Sequence, residues 1–377
     1  MKKTILLISL VLLLAVSASA VTGCRAADNE AYDQDQYIDQ SPSPVSEQEQ
    51  NTPQARAPGS ARESDNHQSS PPDSEQSEQD EQDELSEQSE QSQQSQPEQN
   101  VDFITIRGVE YSTSLTELVL FDMGLQDDEI IPLQYMTNLT VLNLSSDFIG
   151  QIDVEEAPNQ LTDLSPIAGL VNLEVLALAG NQISDLSPLA ELINLQVLEL
   201  FANQIYDISP LANLTNLLIL ELHGNKIRDI SPIAGLENLT RLFLNGNLIT
   251  EIPELDGLGR LDVFGLSNNH ITDITNLSGL SSLTILYLSD NRIEDLSPLS
   301  NGFDILTSLH LENNLIRDIS PLSGLTGLRW LILADNRITD ISPLAHSLDF
   351  YSLNLENNPI TDWSPVAHID NVWGRPS

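Results

Sequence analysis

The stretch LEVLALAGN, residues 173–181, decides how the rest of the chain is read, because the chain repeats it with small changes. Its frame, Leu-x-x-Leu-x-Leu-x-x-Asn, returns at 195–203, 217–225, 239–247, 283–291, 306–314 and 328–336, and more weakly at 261–269 and 350–358. The asparagines Asn181, Asn203, Asn225, Asn247, Asn269, Asn291, Asn314, Asn336 and Asn358 follow one another every 22 residues, with one step of 23. A fixed period of this length marks a solenoid, in which each unit buries its apolar face only against its neighbours.

The residue types within one unit say how the chain runs. Leu176 and Leu178 alternate, so they share one face of a short strand, while Val175, Ala177 and Ala179 point the other way. Asn181 follows where the chain turns, and its amide can both donate and accept, which suits bonding to backbone of neighbouring coils. Residues 183–192 bring the chain back, with Ile183, Leu186, Leu189 and Leu192 facing inward. Ser187 followed by Pro188 reads as an N-cap with proline at the first helical position, opening one short helical turn. The expected fold is an α/β-type solenoid. A parallel β-sheet lines its concave face, and short 3-10 or irregular turns line its convex face.

Before the repeats come two different segments. In residues 1–23, Lys2 and Lys3 precede an apolar run over 5–16 and then small residues. That run is too short to span a bilayer, so the segment reads as a secretory signal peptide. Val21-Thr22-Gly23-Cys24 resembles a bacterial lipobox, which implies that Cys24 is the lipidated first residue of the mature chain. The alternative is an ordinary leader with a chance cysteine near its cut site. Cys24 is the only cysteine, so no intrachain disulfide can form.

Residues 24–100 are rich in Gln, Ser and Glu, and residues 25–100 hold 19 acids and 3 bases. So few apolar groups cannot offset the entropy of ordering, and a disordered, self-repelling spacer is expected. As a flexible coil it would span about 50 Å. The segment reads as a tether, with a phosphorylated or partner-binding tail as the less favoured reading.

The folded part is expected over 101–377. Residues 103–106 and 109–111 read as two strands about a turn at Arg107 and Gly108, capping the open end of the solenoid. Leu115, Leu118 and Leu120 begin a first coil, and Leu139, Leu142 and Leu144 a second, with Asp147 standing in the asparagine place. The step from Asp147 to Asn181 is 34, so about 12 extra residues lie around 146–158, including Asp153, Glu155 and Glu156. Eleven coils are counted from Leu115 to Phe350. Phe303 is expected to fill an apolar slot beside the one added residue, and residues 360–368 to form a return half with no strand after it.

The unit Asn-x-Ile-x-Asp-Ile-Ser-Pro-Leu, at 203–211 and 336–344, resembles the internalin type of leucine-rich repeat of Gram-positive bacteria, over roughly 103–368. That resemblance implies a leucine-rich repeat fold and a partner held on the concave sheet, with no catalytic centre. The chain ends at Gly374-Arg-Pro-Ser377 without a wall-sorting tail, so attachment is expected at the extracellular face of the membrane, through Cys24.

Charge narrows the partners. Residues 101–377 carry 37 acids and 10 bases, which repels phosphate backbones and disfavours nucleic acid. Anionic lipid is disfavoured for the same reason, so the membrane is expected to be reached through the lipid anchor only. Acidity also serves the solubility of a secreted solenoid.

The repeat register points to candidate ligand-binding residues. Phe201, His223, Phe243, Tyr287, His310 and Trp330 occupy outward strand positions. The four aromatics Phe201, Phe243, Tyr287 and Trp330 lie on alternate coils, about 10 Å apart, in a diagonal stripe. Exposed aromatics dominate binding hot spots, although such rings can also pack against adjacent coils with no ligand. Glu199 and Glu221, beside the stripe, are expected to steer a basic partner.

Asp163, Asp185, Asp207, Asp229, Asp273, Asp295, Asp318, Asp340 and Asp362 recur in register. They bond the backbone of their own turns or, less favoured, form a calcium row. His67, His223, His270, His310, His346 and His368 show no metal-ligand spacing, and no nucleophile–base pair or phosphate loop is found. No cofactor, metal or enzymatic activity is therefore expected. The leading reading is a membrane-tethered extracellular protein whose concave face holds a host or bacterial surface protein. Cell-wall polymer recognition, glycan or peptide, and a structural spacer stand as rivals.

Overall fold

The computed structural model describes residues 101–146, 158–346 and 350–376. The leader, Cys24, the acidic spacer, Asp147 and the insertion with Asp153, Glu155 and Glu156 lie outside the described residues. No helix among the described residues is long and apolar enough to cross a membrane.

The folded part opens with an antiparallel hairpin of β1 (Phe103–Ile106) and β2 (Val109–Ser112). Arg107 and Gly108 both lie at positive φ, 49° and 78°, the two-residue turn that matches strand twist. Ile104 and Ile106 face the core. The Arg107 guanidinium ties the hairpin to the first coil: Nε donates to Glu129 Oε1 at 2.9 Å and Nη2 to the Gly124 carbonyl at 3.0 Å.

A parallel sheet follows, its strands stacked in chain order. Its first six are β3 (Glu117–Val119), β4 (Val141–Asn143), β5 (Val175–Ala177), β6 (Val197–Glu199), β7 (Ile219–Glu221) and β8 (Arg241–Phe243). The next six are β9 (Val263–Gly265), β10 (Ile285–Tyr287), β11 (Ser308–His310), β12 (Trp330–Ile332), β13 (Ser352–Asn354) and β14 (Val372–Trp373). At about 4.8 Å per strand the sheet extends roughly 50 Å. From Leu139 onward the leucines of the frame are buried along the array, with Phe264 in one leucine position and Phe303 in its apolar slot, whereas Leu115 in the first coil is exposed.

Two sequence expectations are corrected here. The last return half does have a strand after it: β14 pairs with β13, and the Leu355 N–H donates to the Trp373 carbonyl at 3.1 Å. Two residues without a leucine frame carry no periodic signal, so the sequence pattern passed over them. Ser187 is also not the N-cap. It is the first residue of the 3-10 turn Ser187–Leu189, Leu186 takes the cap position, and the Asp185 carboxylate accepts the Ser187 N–H at 2.8 Å.

That arrangement repeats at all nine aspartates of the column, each accepting the N–H two residues on at 2.8 or 2.9 Å. The incoming N–H of Ser187 holds the Asp185 carboxyl below its usual range, and Ser231 does the same for Asp229. The column is thus an Asx-turn device that satisfies the amides opening each 3-10 turn.

The asparagine ladder stitches successive coils. At Asn247, Oδ1 accepts the Ile227 N–H at 2.9 Å, and Nδ2 donates to the carbonyls of Leu222 and Leu244, each at 3.0 Å. The same bonds recur from Asn181 to Asn358. Asn159 extends the ladder by one rung, which corrects the placement of Asp147 in that role. It is 2% exposed, accepts the Leu125 N–H at 2.8 Å and donates to the Leu144 carbonyl at 2.9 Å. The insertion therefore enters just before the rung, and Asn159 stands 22 residues ahead of Asn181.

From Asn181 to Asn358 the residue before each rung turns through left-handed backbone, which explains why Gly, Asn and Asp recur there, whereas Asn159 follows Pro158. Gly180 has a second reason: a Cβ there would lie 2.5 Å from the Ser146 carbonyl oxygen. Ala202, at φ 54°, is the exception in this column.

A second, outer ladder went unseen in the sequence. Asn138, Asn172, Asn194, Asn216 and Asn238 each donate to a backbone carbonyl of the preceding coil at 2.8–3.0 Å. Each stands one residue before the first leucine of a frame, a spacing that could have revealed it.

Candidate functional site

Each strand offers outward positions flanking the buried leucines, and parallel pairing sets equivalent positions side by side across the sheet. In the middle row Glu199 pairs with Glu221, Glu221 with Phe243, Phe243 with Gly265, Gly265 with Tyr287, and Tyr287 with His310. Phe201 and His223 lie two residues beyond Glu199 and Glu221 on the same face. Trp330 stands in the row before the leucine of β12, paired with Ser308 and Ser352.

The rings are not isolated at 10 Å intervals, as the stripe of four would have them. Three of them meet a ring from the next coil. Phe201 stacks on His223 with centroids 4.4 Å apart and planes 8° from parallel. Tyr287 meets His310 at 4.7 Å and 40°, and Trp330 meets Tyr351 at 5.0 Å and 56°. Phe243 instead spreads over Gly265, where a Cβ would lie 3.0 Å from its Cδ1. The missing side chain of Gly265 makes room for that ring. Adjacent coils are only about 4.8 Å apart, close enough for rings to touch, which is why pairs form across neighbours.

Tyr351 is an addition that sequence reasoning missed. It is 62% exposed and precedes β13, outside the outward positions from which candidates were taken. Phe201, Phe243, Tyr287 and Trp330 are half-buried, each keeping part of its surface in solvent.

Glu199 and Glu221, expected to steer a basic partner, are both withdrawn from solvent to different degrees. Glu221 is only 8% exposed. Burial pushes its carboxyl up to about 7, the neighbouring Glu199 adds to the rise, and the Arg241 charge opposes it. Burial also raises Glu199. Burial of this kind depends on tertiary neighbours across adjacent coils. Burial lowers His223 and His310 to about 4, so both imidazoles are neutral at neutral pH. The Ser308 hydroxyl lies 3.0 Å from His310 Nε2. Among the described residues no three His, Cys, Asp or Glu side chains gather as a metal site.

This geometry agrees with the comparisons. Family models described as "Leucine Rich repeats (2 copies)" match residues 159–191, 193–235, 215–257, 237–279, 259–301 and 326–368, and one described as "Leucine rich repeat" matches 281–338. The chain belongs to the leucine-rich repeat proteins, a family of scaffolds that typically bind rather than catalyse.

Within that class it is internalin-like. An internalin (inlF) from Listeria monocytogenes is similar at 28% identity and a TM-score of 0.50, over 70% of this chain and 89% of that one. The ectodomain of the Arabidopsis thaliana receptor kinase GASSHO1/SCHENGEN3, in complex with Casparian strip integrity factor 2, shares the fold at 22% identity. Its TM-score is 0.59, over 70% of this chain and 33% of that one. The plant peptide hormone receptor RGFR1 in complex with RGF2 shares it at 23% identity and 0.56, over 70% and 45%. The chain thus spans less than half of either plant receptor. No curated protein matches the chain.

Proposed function

We propose that this chain is a membrane-anchored extracellular leucine-rich repeat protein that holds a protein partner on its concave sheet. The observation that carries the reading is the set of rings on that sheet, half-buried except for the exposed Tyr351: the Phe201–His223 stack, Phe243 over Gly265, the Tyr287–His310 pair and the Trp330–Tyr351 pair. Rings held by neighbours lose little freedom on binding, which suits them as anchors in a protein interface. Two fold relatives are described in complex with factors that they receive, which supports use of such a scaffold for protein or peptide ligands. The lipobox-like sequence ending at Cys24 supports the anchor, and the spacer of 24–100 supports presentation away from the membrane. The acidity of 101–377 favours a partner with a basic or neutral face and disfavours nucleic acid.

The test is capture by the full chain from three separate sources: purified wall polymer, bacterial surface proteins and host surface proteins. Saturable binding of one protein, weakened by Phe243→Ala and Tyr287→Ala, is the expected result. Retention of wall polymer alone would move the reading to glycan or wall-peptide recognition. Absence of saturable binding from every source would leave a spacer or adhesion element.

A further inference from the structure

Glu199 and Glu221 are an arrangement that folding alone disfavours. Parallel pairing makes them Cα partners on β6 and β7, and like charges side by side on a sheet repel. Glu221 is 8% exposed, and its carboxyl oxygens are not among the buried polar atoms left without a partner, so they keep contact with solvent at the sheet surface. On the outward rows of β5 to β9 the titratable or charged groups are Glu199, Glu221, His223 and Arg241. Arg241 belongs to another row, paired with Ile219, and acts on Glu221 through its charge. A mostly buried carboxylate that still reaches solvent on the outward face is an acceptor open to whatever covers the sheet. Two residues further along the same strands the Phe201 and His223 rings stack face to face, with planes 8° from parallel, so each ring keeps one outer face clear of the other. Phe243 borders the pair on the other side, in register with Glu221.

We infer that the Glu199–Glu221 pair and the Phe201–His223 stack form a subsite for one arginine side chain of the protein partner. This rests on the proposed function above and names the chemistry of one contact within it. A guanidinium is planar, carries five donors in a fork that suits carboxylate oxygens, and stacks on aromatic faces. It gives the carboxylates their donors, offsets the repulsion of the pair and lies against the outer face of one ring in a single placement. A lysine ammonium supplies charge without the fork or the flat face. The neutral imidazole of His223 adds no repulsion at neutral pH.

Binding then couples to a proton. Arginine engages the ionised pair, and burial and the Glu199 charge keep Glu221 protonated below about pH 7. Affinity therefore rises with pH, by on the order of tenfold between pH 6 and pH 8, following the ionised fraction of a single group.

The test uses the full chain with histidine-labelled NMR detection of the His223 ring. The probes are N-acetyl-arginine amide, N-acetyl-lysine amide and the uncharged isostere N-acetyl-citrulline amide. The arginine probe is expected to shift the His223 signals saturably, more tightly at pH 8 than at pH 6, with lysine weaker and citrulline without effect. Glu221→Gln should weaken the arginine probe and flatten its pH profile. Phe201→Leu should weaken it while leaving the profile in place. Equal binding of citrulline and arginine, or a Glu221→Gln variant with unchanged affinity and pH profile, would overturn the subsite. Loss of arginine binding while partner capture still depends on Phe243 and Tyr287 would overturn the subsite and leave the proposed function standing. Intact arginine binding with capture indifferent to Phe243, Tyr287 and Glu221 alike would leave a site for free arginine only and overturn both the partner contact and the concave-face reading.

Discussion

Replacing Asn247 by alanine tests the physical basis of the solenoid, and the structure sets the size of the effect. Asn247 is 4% exposed and makes three strong bonds. They are not equally replaceable. The Leu222 carbonyl also accepts from Asn225 at 3.0 Å, and the Leu244 carbonyl also accepts from Asn269 at 3.0 Å, so each keeps one partner. The Ile227 N–H has only Asn247 Oδ1 among the described residues and is left orphaned in a buried turn. An orphaned buried donor costs about 1–3 kcal/mol, and the two lost carbonyl bonds about 1 kcal/mol each, so a loss of about 3–5 kcal/mol is expected. Urea unfolding followed by circular dichroism would report it as a lower midpoint, and amide exchange would show faster opening at Ile227. Asn358→Ala makes the internal comparison. This rung is half-buried near the end of the array, water can replace its bonds, and about 1 kcal/mol is expected. An Asn247→Ala midpoint equal to the parent's, with Ile227 exchange unaltered, would refute the shared-carbonyl account.

Three further outcomes follow from other sites. The folded-state value of the Glu221 carboxyl, about 7, lies above its ordinary 4.5, so the native state holds the extra proton and stability falls as pH rises through that window. At about 1.4 kcal/mol per pH unit, Glu221→Gln should be more stable than the parent by up to about 3 kcal/mol at pH 8 and equal to it at pH 4, measured by denaturant unfolding at both pH values. Ala202→Gly relieves a left-handed alanine and should raise stability by about 0.5–1 kcal/mol after the greater chain entropy of glycine is counted; a lower melting temperature would contradict this. Cys24→Ser should release the protein from washed membranes, because only a thiol takes the lipid; continued membrane partition would reject the anchor.

The leucine frame and the asparagine period were readable from sequence because they repeat, and repetition turns weak local signals into a register. That register also placed Phe201, His223, Phe243, Tyr287, His310 and Trp330 on the outward rows where the structure has them. Asn159 was within reach by counting 22 back from Asn181, and was passed over because Asp147 kept the local spacing to its strand. Val372 and Trp373 carry no repeat signal, so β14 could be found only through its pairing. Ser187 and Pro188 resemble a helix start closely enough to hide Asp185 as the group that does the capping. The burial of Glu221 was not legible at all, since it depends on how side chains of adjacent coils pack over its strand. Nor were the ring pairs, which depend on side-chain tilt between coils.

The central claim, that the concave sheet is the binding face, is tested most directly on Phe243→Ala and Tyr287→Ala. Partner affinity and thermal stability should be measured on the same purified full-length variants. Both residues lie near the middle of the sheet and point away from the leucine core, so the melting temperature should stay close to the parent's while affinity falls by at least about 1–2 kcal/mol. Unchanged affinity with unchanged stability would contradict the claim and place the binding face elsewhere.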